Sequence, residues 1–170
     1  MTLEDLIAHH RIRDLLMRFC RAVDRGDREL LKSVYHPDGF DDHGPFKGPG
    51  RDFADYVTDR YDDVGAGPLH HMTSIYVELD GDRATGESGF IAWSKDPAVE
   101  HGFRLLVGRY LDAFERHAGE WKIRRRNVIV DHAQPDADGK QWDRLQYYLR
   151  PGRREADPTH GQLPAMDRMR

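Results

Sequence analysis

The sequence predicts an α+β domain in which N-terminal helices pack on a strongly curved, mainly antiparallel sheet. Three observations predict it. Apolar residues recur at three- and four-residue steps over the first third of the chain, the texture changes to residue-by-residue alternation after Leu69, and turn signals fold the alternating stretches into consecutive hairpins. Helices that come first and strands that follow, without interleaving, describe this class rather than a parallel sheet wound through helices.

The elements follow in order. Thr2, with Asp5 three residues later, reads as a loose capping box. Behind it Leu3, Leu6, Ile7, Ile12, Leu15, Leu16, Phe19, Cys20 and Val23 trace one face of a long amphipathic helix. Gly26 breaks that pattern, and Asp27 caps a shorter helix through Leu30, Leu31 and Val34. After HPDG a short FDDHG segment ends in Gly44 and Pro45, and PGRDFADYVTDRYDDV supplies a third helix with Phe53, Tyr56, Val57 and Tyr61 inward. TSIYVEL, the DGDR turn and ATGESGFIAW form one hairpin, whose two strand glycines favour bending. HGFRLLVGRYLDAFER, the HAGE turn and WKIRRRNVIVDHA form a longer one, so at least four consecutive antiparallel strands are expected. Residues 1–150 are read as one domain, and the polar, proline- and glycine-containing stretch 151–170 as a wrapping or mobile arm.

Bulk composition narrows the function classes. The 170 residues suffice for one core without disulfides, and 26 basic against 30 acidic residues give a net charge of −4. That balance lacks the positive field of a nucleic-acid binder, so no nucleic-acid partner is expected. The single Cys20 forms neither an intrachain disulfide nor a multi-cysteine zinc site, which suits a reduced compartment, and the cytoplasm is the expected location. Charges interrupt the N-terminal stretch every few residues, so neither a signal peptide nor a membrane span is expected there.

Several residues could carry chemistry. His70 and His71 precede the first hairpin strand; neighbours on a strand point to opposite faces and cannot readily share one metal ion. His9 and His10 also diverge, there is no HExxH, and no metal site is expected. If Ile75, Val77 and Leu79 face the core, strict alternation puts His71 on their side, and an intervening bulge reverses the assignment to His70. Asp24 ends the first helix at its negative pole, where a basic residue would be routine; it is either a solvated aspartate or a carboxylate that orients a histidine. Arg109 shares a strand face with His101, Phe103, Leu105, Val107 and Leu111 and needs an anion beside it, either Asp131 or Asp24 or a substrate. The run Arg124 to Arg126 reads as a solvated strand with Arg124 and Arg126 on one face, and Asp42 with His43 as a pocket wall or a turn cluster.

The series MRFCRAVDRGDRELLKSVYHPDG, DDHGPFKG, LHHMTSIYVELDGDRATGES and GRYLDAFERHAGEWKIRRRNVIVDH resembles the SnoaL-like branch of the nuclear-transport-factor-2-like superfamily from about Leu3 to about His132. The resemblance implies a cone-shaped α+β barrel. In members similar to scytalone dehydratase, bile-acid dehydratase and the dehydrochlorinase, an aspartate near the end of the first helix pairs with a histidine near the start of the first hairpin strand. Those positions match Asp24 and His70, which favours His70 over His71 and implies a bulge or bend between His70 and Ile75. An arginine after WKI corresponds to Arg126, implied to bind a leaving group or oxyanion, and Arg109 matches a recurrent feature without an assigned role. Phe19 stands where bile-acid dehydratases carry a tyrosine, so an acid would have to come from elsewhere, with Tyr35, Tyr56, Tyr76, His43 and Tyr110 all open. The implied activity is a cofactor-free lyase or isomerase acting on a small hydrophobic cyclic or polycyclic carbonyl compound, with Asp24 and His70 catalytic and Arg126, Arg109, His43, Phe19 and His71 around the substrate. The alternative implied is a non-catalytic assembly module like the small subunit of ring-hydroxylating dioxygenases. Dimers or trimers are frequent in the family, so a homo-oligomer is expected.

Overall fold

A computed structural model of the protein describes residues 1–64, 67–95, 103–134, 143–149 and 151–157. His101 and residues 158–170, most of the arm expected from the sequence, lie outside the described residues. Three helices, α1 (Leu3–Arg25), α2 (Arg28–Val34) and α3 (Gly50–Val64), pack against a six-stranded sheet. The strands are β1 (Tyr35–Asp42), β2 (Lys47–Pro49), β3 (Leu69–Asp80), β4 (Arg83–Lys95), β5 (Phe103–His117) and β6 (Glu120–Ala133). Their order is β2-β1-β6-β5-β4-β3, so the sheet stays open, with β2 and β3 as its edges, rather than closing into a barrel.

Helix α1 begins as the sequence predicts. The Thr2 hydroxyl accepts from the Asp5 N–H at 3.1 Å, and the Asp5 carboxylate accepts from the Thr2 N–H at 2.6 Å. It ends at Gly26, whose φ of 65° suits a residue without Cβ, and the Asp27 carboxylate then caps α2 by accepting from the Leu30 N–H. Ile12, Leu15, Leu16, Phe19 and Val23 of α1 meet Leu31 and Val34 of α2, Phe53 and Val57 of α3, and Phe90, Phe114, Ile123 and Val128 of the sheet in one core. Each such side chain contributes about 1.5–3 kcal/mol by leaving water.

The hairpins are those expected. In the β5–β6 turn, Ala118 and Gly119 both have positive φ, 51° and 81°, the geometry of a two-residue loop whose twist matches the strands. The sequence reading missed the three-residue strand β2 and, with more consequence, strand β1. It pairs in parallel with β6, and its register shifts between Tyr35 and Phe40, so His36, Pro37, Asp38 and Gly39 are accommodated as an irregularity rather than a connection.

Three further irregularities shape the inner face. Between Met72 and Ile75, β3 spends one more residue than β4, so Thr73 and Ser74 form a bulge opposite Gly89. On β6 the extra residues are Asp131 and Arg124, opposite the Val107–Gly108 and Ala113–Phe114 steps of β5. A Cβ on Gly108 would lie 2.2 Å from the Ile129 carbonyl oxygen and 2.8 Å from the Phe90 ring. Gly108→Ala is therefore expected to lose about 1–3 kcal/mol of stability through overpacking against main chain. At roughly 2–4 °C per kcal/mol for a chain of this size, thermal melting will show the loss, and an unchanged midpoint would refute the close approach.

Candidate active site

Between the helices and the inner face of the sheet lies a cavity of about 160 Å³. Phe19 and Val23 from α1, Phe53 and Val57 from α3, and Phe90, Leu106, Tyr110 and Val128 from the sheet form its apolar wall. Arg60, Lys95, Arg104 and Arg144 also line it, with no carboxylate among the described lining residues.

His70 reaches this wall because of the β3 bulge. Along β3 the half-buried positions are His70 and Met72 before the bulge and Ile75, Val77 and Leu79 after it, while His71 is exposed on the other face. The assignment of His71 to the core by strict alternation, and its place beside the substrate, are thereby corrected: one inserted residue inverts the period. Asp24 in the last turn of α1 grips His70 twice. Its carboxylate accepts from the His70 main-chain N–H at 3.0 Å and lies 2.6 Å from ring Nδ1. A carboxylate that accepts at Nδ1 selects, for the neutral ring, the tautomer with hydrogen on Nδ1 and the lone pair on Nε2. With side chains 12% and 9% exposed, Asp24 and His70 are largely screened from water, and the unusual acidic residue at a helix C-terminus has its explanation.

The two arginines lie elsewhere than expected. Arg126 is fully buried beneath the cavity wall: Nε and Nη2 each donate to Asp112 at 2.7 Å, and the guanidinium stacks 4.0 Å from both the Phe19 and Tyr110 rings. Burial alone would lower its pKa, but the Asp112 charge and hydrogen bonds raise it, while burial pushes the Asp112 carboxyl up against the pull of Arg126. Phe19 and Tyr110 line the cavity and Arg126 does not, so direct contact with substrate is corrected to support of the wall from behind. The bulge residue Arg124 breaks the expected sharing of a face: it bonds the Asp38 carbonyl and is partly exposed. Arg109 sits on the sheet's other face, held by Asp131 at 3.0 Å, Glu87 at 3.1 Å and Asp157 at 2.9 Å. Its partner is structural, Asp131 rather than Asp24, and it does not line the cavity.

His43 does line it. The sequence reading grouped His43 with Asp42 as a pocket wall or a turn cluster; the partner of His43 is Asp41, whose Oδ1 lies 2.9 Å from Nδ1 of His43 and whose Oδ2 accepts from the Tyr35 hydroxyl at 2.6 Å. Asp42 turns to Lys47 and to the Gly44 N–H. The missed signal was the two-residue strand period, which puts 41 and 43 on one face. Among the other acid candidates, Tyr56 and Tyr110 line the cavity, and Tyr76 is 60% exposed and outside it. The Tyr110 hydroxyl and Arg144 Nη1 are buried without a hydrogen-bond partner among the described residues. No group of three or more His, Cys, Asp or Glu among the described residues is placed to hold a metal ion, and no described helix is long and apolar enough to cross a membrane.

Two measurements test this geometry. The ring 15N shifts of His70 should report the Nδ1–H tautomer, and Asp24→Ala should erase that preference; an unchanged tautomer in the variant would contradict the pairing. Burial, with the Asp24 and Asp112 charges adding and Arg126 opposing, pushes the Cys20 thiol from its ordinary 9.0 up to about 12. The folded state thus favours the thiol: this stability is complete below pH 9 and is lost between pH 9 and about 12, at about 1.4 kcal/mol per pH unit. Native protein should resist thiol reagents at pH 8 and show that alkaline slope in urea melts, and Cys20→Ala should flatten it.

Comparison with known proteins places this geometry in a family. A candidate scytalone dehydratase from Novosphingobium aromaticivorans DSM 12444 is 22% identical, over 78% of this chain and 90% of that one, with a TM-score of 0.67. The type 3 hexachlorocyclohexane dehydrochlorinase LinA from Novosphingobium barchaimii LL02 is 20% identical, over 82% and 97%, with a TM-score of 0.70. The beta subunit of a candidate aromatic-ring-hydroxylating dioxygenase from Novosphingobium aromaticivorans DSM 12444 is 15% identical, over 75% and 92%, with a TM-score of 0.61. At these identities the likeness is one of fold. No curated protein matches the chain significantly. Residues 4–127 match the family of SnoaL-like domains, and with nearly three quarters of its length so matched the chain belongs to that family.

Proposed function

We propose that this protein is a cofactor-independent enzyme, a dehydratase-type lyase or an isomerase, that removes a proton next to the carbonyl of a small hydrophobic cyclic compound. The observation that carries the reading is the 2.6 Å pairing of Asp24 with His70 on the wall of an apolar cavity. Asp24 fixes Nδ1–H, which leaves Nε2 to take the proton, and Asp24 then stabilises the imidazolium that forms. The cavity supports the substrate class. An apolar space of about 150 Å³ holds one benzene ring, so about 160 Å³ accepts one ring and a larger body extends towards the opening. Negative charge that develops on the carbonyl oxygen would meet the unpartnered Tyr110 hydroxyl and Arg144 Nη1, with Arg60, Lys95 and Arg104 adding positive potential in a water-poor site. Burial raises the Tyr110 pKa well above its ordinary value, so this hydroxyl donates a hydrogen bond and keeps its proton.

The likeness to a dioxygenase beta subunit supports a second reading, a binding or assembly module that uses the same fold without chemistry. Deuterium uptake next to the carbonyl of cyclic ketones, followed by NMR in D2O, separates the two. For the enzyme, His70→Ala and Asp24→Asn are each expected to slow uptake by about 10²–10⁴-fold. Uptake indifferent to both substitutions would refute the dyad, and no uptake by the parent would favour the module.

A further inference from the structure

Four cations line the cavity, Arg60, Lys95, Arg104 and Arg144, and no carboxylate stands beside them among the described lining residues. In a chain with 30 acidic and 26 basic residues so one-sided a wall is unexpected. The carboxylates behind the wall are engaged there: Asp24 with His70, Asp112 with Arg126, and Asp41 with the Tyr35 hydroxyl and Nδ1 of His43. Like charges gathered in a partly water-poor space repel one another, and an anion held among them relieves that cost. Nη1 of Arg144 is also buried without a hydrogen-bond partner among the described residues, a state that a resting protein avoids unless a bound molecule fills the place. Charge that develops on a carbonyl oxygen lasts only as long as a transition state and calls for one or two donors, not for four standing cations.

The register of the sheet puts the cations at one end of the cavity. Phe90, Ala92 and Ser94 follow one another along the lining face of β4, and Tyr110, Leu106 and Arg104 along that of β5. Ala92 pairs with His70 on one side and with Leu106 on the other, and the next lining pair is Ser94 with Arg104. At about 3.4 Å per residue, the main chain of Arg104 lies about 7 Å beyond the His70 row and about 20 Å from Tyr110 along the strand. Lys95 closes β4 at the same end. Helix α3 ends at Val64 and β3 opens at Leu69 opposite Trp93, so Arg60, one turn before the end of α3, comes to that end as well. The cavity is thus graded, from the stacked Phe90 and Tyr110 rings, 4.5 Å apart, past the Asp24–His70 pair to a cationic rim.

We propose that this rim binds an oxyanion, a carboxylate or a phosphate, carried at one end of the apolar ligand, so that the molecule taken up is a ring with an acidic side chain rather than a neutral compound. A guanidinium presents paired N–H donors that match two oxygens of either group, and the exposed Lys95 adds a point charge at the outer edge. The ring lies against Phe90 and Tyr110, and the acidic group stays towards the opening, where it keeps part of its hydration. A charged end at the rim and an apolar body within fix which way round the ligand enters, and so which part of it comes level with His70. The assignment goes beyond the proposed function: it concerns binding, and it holds for the enzyme and for the assembly module alike.

The test compares three ligands of similar shape, 4-phenylbutanoate, 4-phenylbutylphosphonate and the neutral 4-phenylbutanamide, by isothermal titration calorimetry on the full chain at neutral pH and low salt. At least one of the anions is expected to bind about tenfold or more tightly than the amide, the better of the two identifying the group, and its advantage is expected to shrink as sodium chloride is added. Arg60→Gln combined with Lys95→Gln, and separately Arg144→Gln, are expected to cut that advantage to less than about threefold. Both should leave amide binding in place, which reports that the cavity is assembled. Arg83→Gln, at the opposite end of β4, also removes a positive charge and is expected to leave the advantage unchanged. Equal affinity for the anions and the amide, no anion binding at millimolar concentration, the full advantage kept in both rim variants, or an equal loss in Arg83→Gln would each overturn the rim as an anion site. Deuterium uptake that depends on His70 would stand in any of those cases, and loss of that uptake with the anion preference intact would refute the dyad alone.

Discussion

The carboxylate of Asp24 accepts two hydrogen bonds from one residue, the main-chain N–H and the ring of His70, and the arrangement of the cavity follows from that double grip. It ties the last turn of α1 to the first residues of an edge strand, where pairing on one side alone would leave the main chain loose. With the start of β3 fixed, the bulge at Thr73 and Ser74 determines which way the strand faces, and Gly89 opposite provides the space for it. A carboxylate at the negative end of a helix is mildly unfavourable, and two charge-assisted hydrogen bonds offset that easily.

Beneath the aromatic wall lies a polar layer that an apolar core would not need. Arg126, Asp112, Asp41 and Tyr35 are all buried: Arg126 is ion-paired with Asp112, and Asp41 accepts from the Tyr35 hydroxyl and lies beside Nδ1 of His43. Removing one member of such a pair strands the other and costs about 3–5 kcal/mol. This layer holds Phe19 and Tyr110 by stacking on the Arg126 guanidinium, so the rings that form the wall are fixed from behind. The wall stays apolar towards the cavity while its orientation is set by charge.

The opposite face of the sheet is organised by Arg109. It gathers Glu87 from β4, Asp131 from the bulge in β6, and Asp157 from the C-terminal segment, which also accepts from the Gly152 N–H. Two arginines of similar appearance in the sequence thus hold opposite faces of one sheet, and neither lines the cavity. The fold is shared with a dehydrochlorinase and with a dioxygenase beta subunit, so it does not by itself set the chemistry, and in this chain the β3 bulge decides which of His70 and His71 faces the cavity.

Local periodicity was enough to read the three helices, the four long strands and their turns, because those patterns arise from neighbours three, four or two positions apart. It identified Asp24 as an anomaly and left His70 and His71 open until the resemblance to SnoaL-like proteins chose between them. It could not supply β1, whose parallel partner β6 is more than eighty residues away, nor the partner of His43, nor the burial of Arg126. Those were decided by tertiary structure. A single inserted residue at 73–74, 124 or 131 inverts the facing of everything beyond it, and the register that reveals the insertion exists only when two distant strands are paired.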